Sequence, residues 1–136
     1  MVKFYSKSKN GTEYLEDNFR VREFSCNDGS DKILIDTTLT SILQMVRNYF
    51  GKPVRITSAY RTDSWNKSVG GVGGSQHCVG RAADIVVEGQ NPLAVYQYLD
   101  KVLGTWGGLI LYQNKGFVHV DTRSTKYRDV NTSKKK

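Results

Sequence analysis

Four glycines fall within five positions in the stretch Val69-Gly70-Gly71-Val72-Gly73-Gly74-Ser75. No helix or strand tolerates that density, because glycine loses the most backbone entropy on ordering and brings no side chain to pack. Residues 69–75 must therefore form a loop, with a backbone bare enough to approach another group closely. Whatever this chain folds into is assembled from the segments on either side of that loop.

Upstream, Leu39, Ile42, Leu43 and Val46 recur at i, i+3, i+4 and i+7, which predicts a helix over 37–50. Asp36 stands as its N-cap and Gly51 as its stop, and Pro53 reinforces the stop. Val54-Arg55-Ile56-Thr57 then alternates like a strand. Downstream, Ala82-Ala83-Asp84-Ile85-Val86-Val87 reads as a strand. A second helix over 92–103 starts with Asn91 as cap and Pro92 in first position, ends at Gly104, and buries Val95, Leu99, Val102 and Leu103. Residues 107–112 and 117–121 read as two more strands, joined by the turn Gln113-Asn114-Lys115-Gly116. Hairpin-joined strands with helices set apart indicate an α+β fold, one small domain with a central antiparallel sheet flanked by helices. No repeat or linker divides the chain, so a single domain over 1–123 is expected, followed by a loose basic tail over 124–136.

At 136 residues the chain is long enough for one real core. Its formal charge of +7 includes Lys3, Lys7 and Lys9 near one end and Lys134, Lys135 and Lys136 at the other. Such a balance favours anionic partners, among them nucleic acid, anionic lipid and an anionic cell wall. No aromatic-interleaved basic motif for nucleic acid is visible, and nucleic acid is not expected as a partner. No apolar run approaches the roughly 20 residues of a membrane span. The first residues also lack the ~7–15-residue apolar stretch of a secretory signal. The expectation is a protein made in the cytoplasm that stays there until something else releases it. Cys26 and Cys78 are too few for a disulfide framework and form no C-x-x-C motif, so free thiols are expected.

Only two histidines occur, which makes their placement informative. His77 stands seven residues before Asp84, just after the glycine-rich loop, and His119 lies in the strand Phe117-Val118-His119-Val120-Asp121. Two imidazoles and a carboxylate, with a fourth position open, form a recurrent catalytic zinc arrangement. Taken singly, a strand histidine is more often a packing residue and an aspartate often just ends a strand. Their company beside other carboxylates and the loop is what singles them out.

The pattern S-x-H-x-x-G-x-A-x-D followed by a later H-x-D resembles the D-Ala-D-Ala carboxypeptidase family of zinc peptidases, within the wider hedgehog/lysostaphin-type metallopeptidase group. Ser75, His77, Gly80, Ala82, Asp84, His119 and Asp121 fill every fixed position. Ser58-Ala59-Tyr60-Arg61 resembles the family's S-x-Y-R stretch, and Asn66 with Gly70-Gly71 also fits, so the similarity spans roughly residues 20–123. The resemblance implies one zinc ion held by His77, Asp84 and His119, with Arg61, Ser75 and Tyr60 toward the substrate. It implies cleavage of D-amino-acid-containing peptides of peptidoglycan. The expected setting is a phage or prophage lysis enzyme, acting as a monomer on the cell wall after release.

Arg61 could stabilise a tetrahedral oxyanion or hold a substrate carboxylate in a bidentate fork. Several relatives place an acid three residues before the last histidine, but Gly116 stands there, so that base is not carried over. Asp121, two residues from His119 on the same strand face, is the candidate general base. Its alternative is to hold His119 or pair with Arg123. Lacking a base, the chain would be a zinc-containing wall-binding module without turnover. A terminal D-Ala-D-Ala bond, a cross-bridge and an L-Ala-D-Glu bond all remain open as the bond cleaved.

Overall fold

The computed structural model describes residues 1–132. The chain opens with β1 (Val2–Ser6), the single-turn helix α1 (Lys7–Asn10), β2 (Tyr14–Glu16), β3 (Phe19–Arg20) and β4 (Lys32–Asp36). Helix α2 (Thr37–Phe50), β5 (Val54–Ser58), α3 (Asp63–Ser68), β6 (Ala82–Val87) and α4 (Pro92–Leu103) follow. The chain then runs through β7 (Gly108–Tyr112), β8 (Phe117–Asp121) and β9 (Tyr127–Asn131). Single turns of 3-10 helix span Val21–Phe24 and Gln76–Val79. The central sheet has the order β5-β6-β8-β7-β9, while β1 pairs with β4 and β2 with β3 in two small ribbons.

Both expected helices form where the periodicity places them. Gly51 ends α2 in the left-handed conformation (φ 63°), and the Asn91 side chain accepts the Leu93 N–H at the start of α4. The buried stripe of α2 is Leu39, Ile42, Leu43 and Val46, and that of α4 is Val95, Leu99 and Leu103. Val102, expected on that stripe, is only half-buried. These residues share one core with Ala83, Ile85 and Val87 of β6, Leu109 and Leu111 of β7, and Val118 and Val120 of β8. Strand side chains alternate between faces, so the other face of the sheet receives Asp84, Ile110, Tyr112, Phe117, His119 and Asp121. That alternation separates an apolar face under the helices from a polar face that carries the site.

The loose tail expected from residue 124 is corrected by β9, which pairs in parallel with β7 from Gly108↔Tyr127 to Tyr112↔Asn131. The sheet is antiparallel through its other pairs. Apolar burial does not hold β9, since Val130 is exposed. Arg128 holds it instead, donating to the Asp100 carboxylate (2.7 Å) and to the carbonyls of Gly107 (2.6 Å), Gly104 (3.1 Å) and Trp106 (3.1 Å). Residues 133–136 of the expected tail lie outside the described residues. Among the described residues no helix is long and apolar enough to cross a membrane. Cys26 and Cys78 are both free thiols.

Candidate metal centre

His77 is presented by a 3-10 turn built from the motif around it. Ser75 caps the turn, its Oγ accepting the His77 N–H at 3.2 Å. Gly80 closes it with φ 77°, and a Cβ there would lie 2.5 Å from the Leu34 carbonyl oxygen. Only glycine meets both conditions. The Gly80 carbonyl in turn accepts the Asp36 N–H at 2.8 Å, which fastens the turn to the end of β4. The His77 ring is buried, with Nδ1 2.6 Å from the Ala59 carbonyl oxygen. A carbonyl only accepts, so Nδ1 carries a hydrogen and Nε2 is the nitrogen turned toward Asp84.

Sheet register supplies the other two groups, because Asp84 of β6 lies directly opposite His119 of β8. His119 Nε2 lies 2.7 Å from Asp121 Oδ2. The Asp121 carboxyl is held well below the usual carboxylate range: burial opposes its charge, but hydrogen bonds from His119 and Arg123 outweigh that. Asp121 therefore accepts, Nε2 carries the hydrogen, and Nδ1 is turned toward Asp84. His77 Nε2 and His119 Nδ1 sit 3.3 Å and 3.0 Å from the same atom, Asp84 Oδ1. The three candidate donor atoms all lie within 4.8 Å of one another.

A tetrahedral ion with bonds of about 2.0–2.1 Å sets its ligand atoms about 3.3–3.4 Å apart, and the two nitrogen-to-Asp84 distances lie near that spacing. The donor chemistry fits as well. Burial disfavours charge on His119, yet hydrogen bonds to Asp121 and Asp84 prevail and raise its pKa to about 9. Asp84 is depressed: burial pushes it up, but hydrogen bonds with His119 and His77 pull it lower. A buried carboxylate faced by two imidazoles is a place where positive charge is favoured, and a divalent cation satisfies it as a proton does. The open side of the trio faces a cavity of about 550 Å³.

The family model described as peptidase M15 matches residues 13–121. The chain belongs to the peptidase M15 family. No curated protein matches it. The match takes in His77, Asp84 and His119, and membership makes the protein a metal-binding hydrolase of the metallopeptidase class.

In this M15 chain Arg61, Ser75, His77, Asp84 and His119 all line the cavity. Arg61 is braced from two sides, Nε donating to Ser58 Oγ (3.0 Å) and Nη1 to Asn66 Oδ1 (3.1 Å). Its Nη2 lies 3.6 Å from Asp84 Oδ2, an ion pair beyond hydrogen-bond length. Asn66 is the residue whose part the sequence left unread. Its Nδ2 donates to the Val72 carbonyl at 2.9 Å, and a Cβ on Gly71 would collide with its carboxamide. The glycine-rich loop thus closes over Asn66, which ties it to Arg61.

Two expected site residues sit elsewhere. Tyr60 does not line the cavity; its side chain is buried in the core, because adjacent residues in an extended segment point to opposite sides. Asp121 is fully buried behind His119 and does not line the cavity either. Its oxygens are taken by His119 and by the Arg123 amide (3.1 Å), Nε (2.8 Å) and Nη2 (2.7 Å). This is the geometry of a residue that holds a histidine, not of one poised beside a water. Gly116 closes the β7–β8 turn with φ 82°, its N–H donating to the Tyr112 carbonyl at 2.8 Å. A left-handed turn position favours glycine at 116. Among the described residues Asp84 is the only carboxylate lining the cavity.

Proposed function

We propose that this protein is a zinc-dependent peptidase acting on peptidoglycan stem peptides or cross-links that contain D-amino acids. The observation that carries the reading is the convergence of His77 Nε2, Asp84 Oδ1 and His119 Nδ1 at the floor of an open cavity. Two imidazoles, one carboxylate and a free side make the donor set of a catalytic rather than a structural zinc site. Bound there, zinc would supply Lewis acidity toward a carbonyl and acidify a water to near neutrality.

The protein's own residues would do the positioning. The Ala59 carbonyl and Asp121 fix which nitrogen each imidazole presents, and Arg123 fixes Asp121. Asp121 is assigned to orienting His119, and no proton transfer is asked of it. Arg61, braced by Ser58 and Asn66, keeps further N–H groups for an oxyanion or a substrate carboxylate. Ser75 holds the His77 turn and borders the substrate space. The glycine-rich loop lines one side with bare backbone, which suits an extended peptide. A lysis role, with a monomer made in the cytoplasm and acting on the wall after release, agrees with the +7 charge and an anionic envelope.

Elemental analysis paired with amine release from purified peptidoglycan tests this. About one zinc per chain and chelator-sensitive release are expected, as the site holds one ion. The second reading, a zinc-containing wall-binding module, draws on Asp84 being, among the described residues, the only carboxylate that lines the cavity. Zinc with tight wall binding and no new amino termini would select it.

A further inference from the structure

Among the described residues the cavity is lined by no carboxylate beyond a candidate ligand, so polar help for the reaction has to come from another kind of group. Tyr112 is the side chain placed to give it. It ends β7 opposite Phe117, while Ile110 lies opposite His119, so Tyr112 is the diagonal neighbour of His119 on the cavity face of the sheet. Diagonal neighbours are about 7–8 Å apart, within reach of an aromatic side chain. Its ring is stacked on Phe117 with centroids 4.3 Å apart and 17° between planes, which fixes its direction. Tyr112 lines the same cavity as His77, Asp84 and His119.

Its hydroxyl is uncommitted. A half-buried tyrosine ordinarily finds a partner for its O–H. Among the described residues the Tyr112 hydroxyl has no hydrogen-bond partner, and no buried side-chain oxygen is left unsatisfied, so this hydroxyl is accessible, on a residue that lines the cavity. Of the other polar groups there, Arg61 is braced by Ser58 and Asn66 and keeps N–H groups of its own, while the Ser75 hydroxyl accepts within the His77 turn. Burial, followed by the nearby Asp84 carboxylate, pushes the Tyr112 phenol above its ordinary value, so it remains a donor through neutral and mildly alkaline pH.

We propose that Tyr112 is a catalytic residue whose O–H donates a hydrogen bond to the oxyanion that develops on the scissile carbonyl. The inference rests on the peptidase reading above. No proton is transferred: the phenol keeps its hydrogen and strengthens its bond as charge grows on the oxygen, which is how a preorganised donor lowers a barrier. The donor is aligned in advance by the Phe117 stack, so little reorganisation is needed when the charge appears.

The test is Tyr112→Phe in zinc-loaded protein, assayed for amine release from soluble peptidoglycan fragments. Phenylalanine keeps the stack on Phe117 and removes only the hydroxyl. The expected result is a kcat lower by about 100-fold, the usual cost of losing one oxyanion donor. KM, zinc content and Tm should stay at the unsubstituted protein's values, a split that loss of structure would not give. An unsubstituted protein that releases amines, together with a Tyr112→Phe variant within about threefold of its kcat, overturns this assignment alone. A loss confined to KM overturns it too. An unsubstituted protein that holds zinc and releases no amines overturns the peptidase reading and this role with it.

Discussion

Asp121→Asn separates the two roles that a carboxylate beside His119 can have. The native carboxylate is fully buried and accepts from His119 Nε2 and from three N–H groups of Arg123. Asparagine keeps one accepting oxygen and puts an N–H₂ group where the other was. Either His119 or the Arg123 fork then faces a donor. Hydrogen bonds to charged groups contribute about 1.5–3 kcal/mol each. The Arg123 side chain is 28% exposed, so water recovers part of its loss. The net cost should be about 2–3 kcal/mol, which for a domain of this size lowers Tm by about 10 °C. Zinc affinity should fall by about 10–100-fold, because His119 loses the partner that turns Nδ1 inward. Thermal unfolding followed by circular dichroism on metal-stripped protein reads the first effect, and competition against a chelating dye reads the second. An Asp121→Asn protein with unchanged Tm and zinc affinity but no turnover would refute the positioning role and restore Asp121 as base.

Metal binding should be strongly pH-dependent. His119 titrates at about 9 in the metal-free site, so below that pH zinc must displace its proton, and affinity should drop about tenfold per pH unit. Calorimetry in buffers of different ionisation enthalpy should find about one proton released per zinc at pH 7, and a flat affinity from pH 7 to 9 would contradict the assignment. In metal-free protein the raised His119 pKa adds stability below its ordinary value of 6.5 that is lost as pH rises through about 9. The depressed Asp84 and Asp121 add stability above the carboxylate range, lost on acidification, so the metal-free Tm should fall in both directions from mildly acidic pH. Gly80→Ala should cost about 2 kcal/mol or more in denaturant unfolding, since it meets both the positive φ and the Leu34 carbonyl. Arg128→Met should free β9 while leaving the centre intact, read as fast amide exchange over 127–131 with β6 and β8 still protected.

Legibility in the sequence followed the strength of the physical signal. Helices α2 and α4 carry a 3.6-residue apolar stripe bounded by caps and glycine, and both appear where the pattern puts them. The N-terminal ribbons and β9 escaped because their strands are short, or polar and held by backbone and arginine bonds. In the site, the two-residue strand period placed Asp121 on the face of His119. It did not say whether the carboxylate stands in front of the imidazole or behind it. Tyr60 could have been read, since its neighbour Arg61 faces the cavity and the alternation then turns Tyr60 to the core. Asn66 could not, because its value lies in touching a loop and an arginine brought close only by the fold.

The charges around the centre explain how such a site survives without its ion. Arg123, Asp121, His119, Asp84 and Arg61 succeed one another in space with alternating sign once His119 is protonated. Each buried carboxylate then has a cation on either side, so the metal-free site avoids the repulsion that would spread bare carboxylates apart. The histidines are held in place by the Ala59 carbonyl and Asp121 without the help of a metal. A divalent cation would therefore enter a site already shaped for it, and its main cost would be the proton it evicts from His119. A divalent ion replacing one proton leaves the centre more positive by about one unit. Beside Arg61, that added charge would strengthen the pull on any anionic group entering the cavity, so loading a metal and attracting an anionic substrate would reinforce each other.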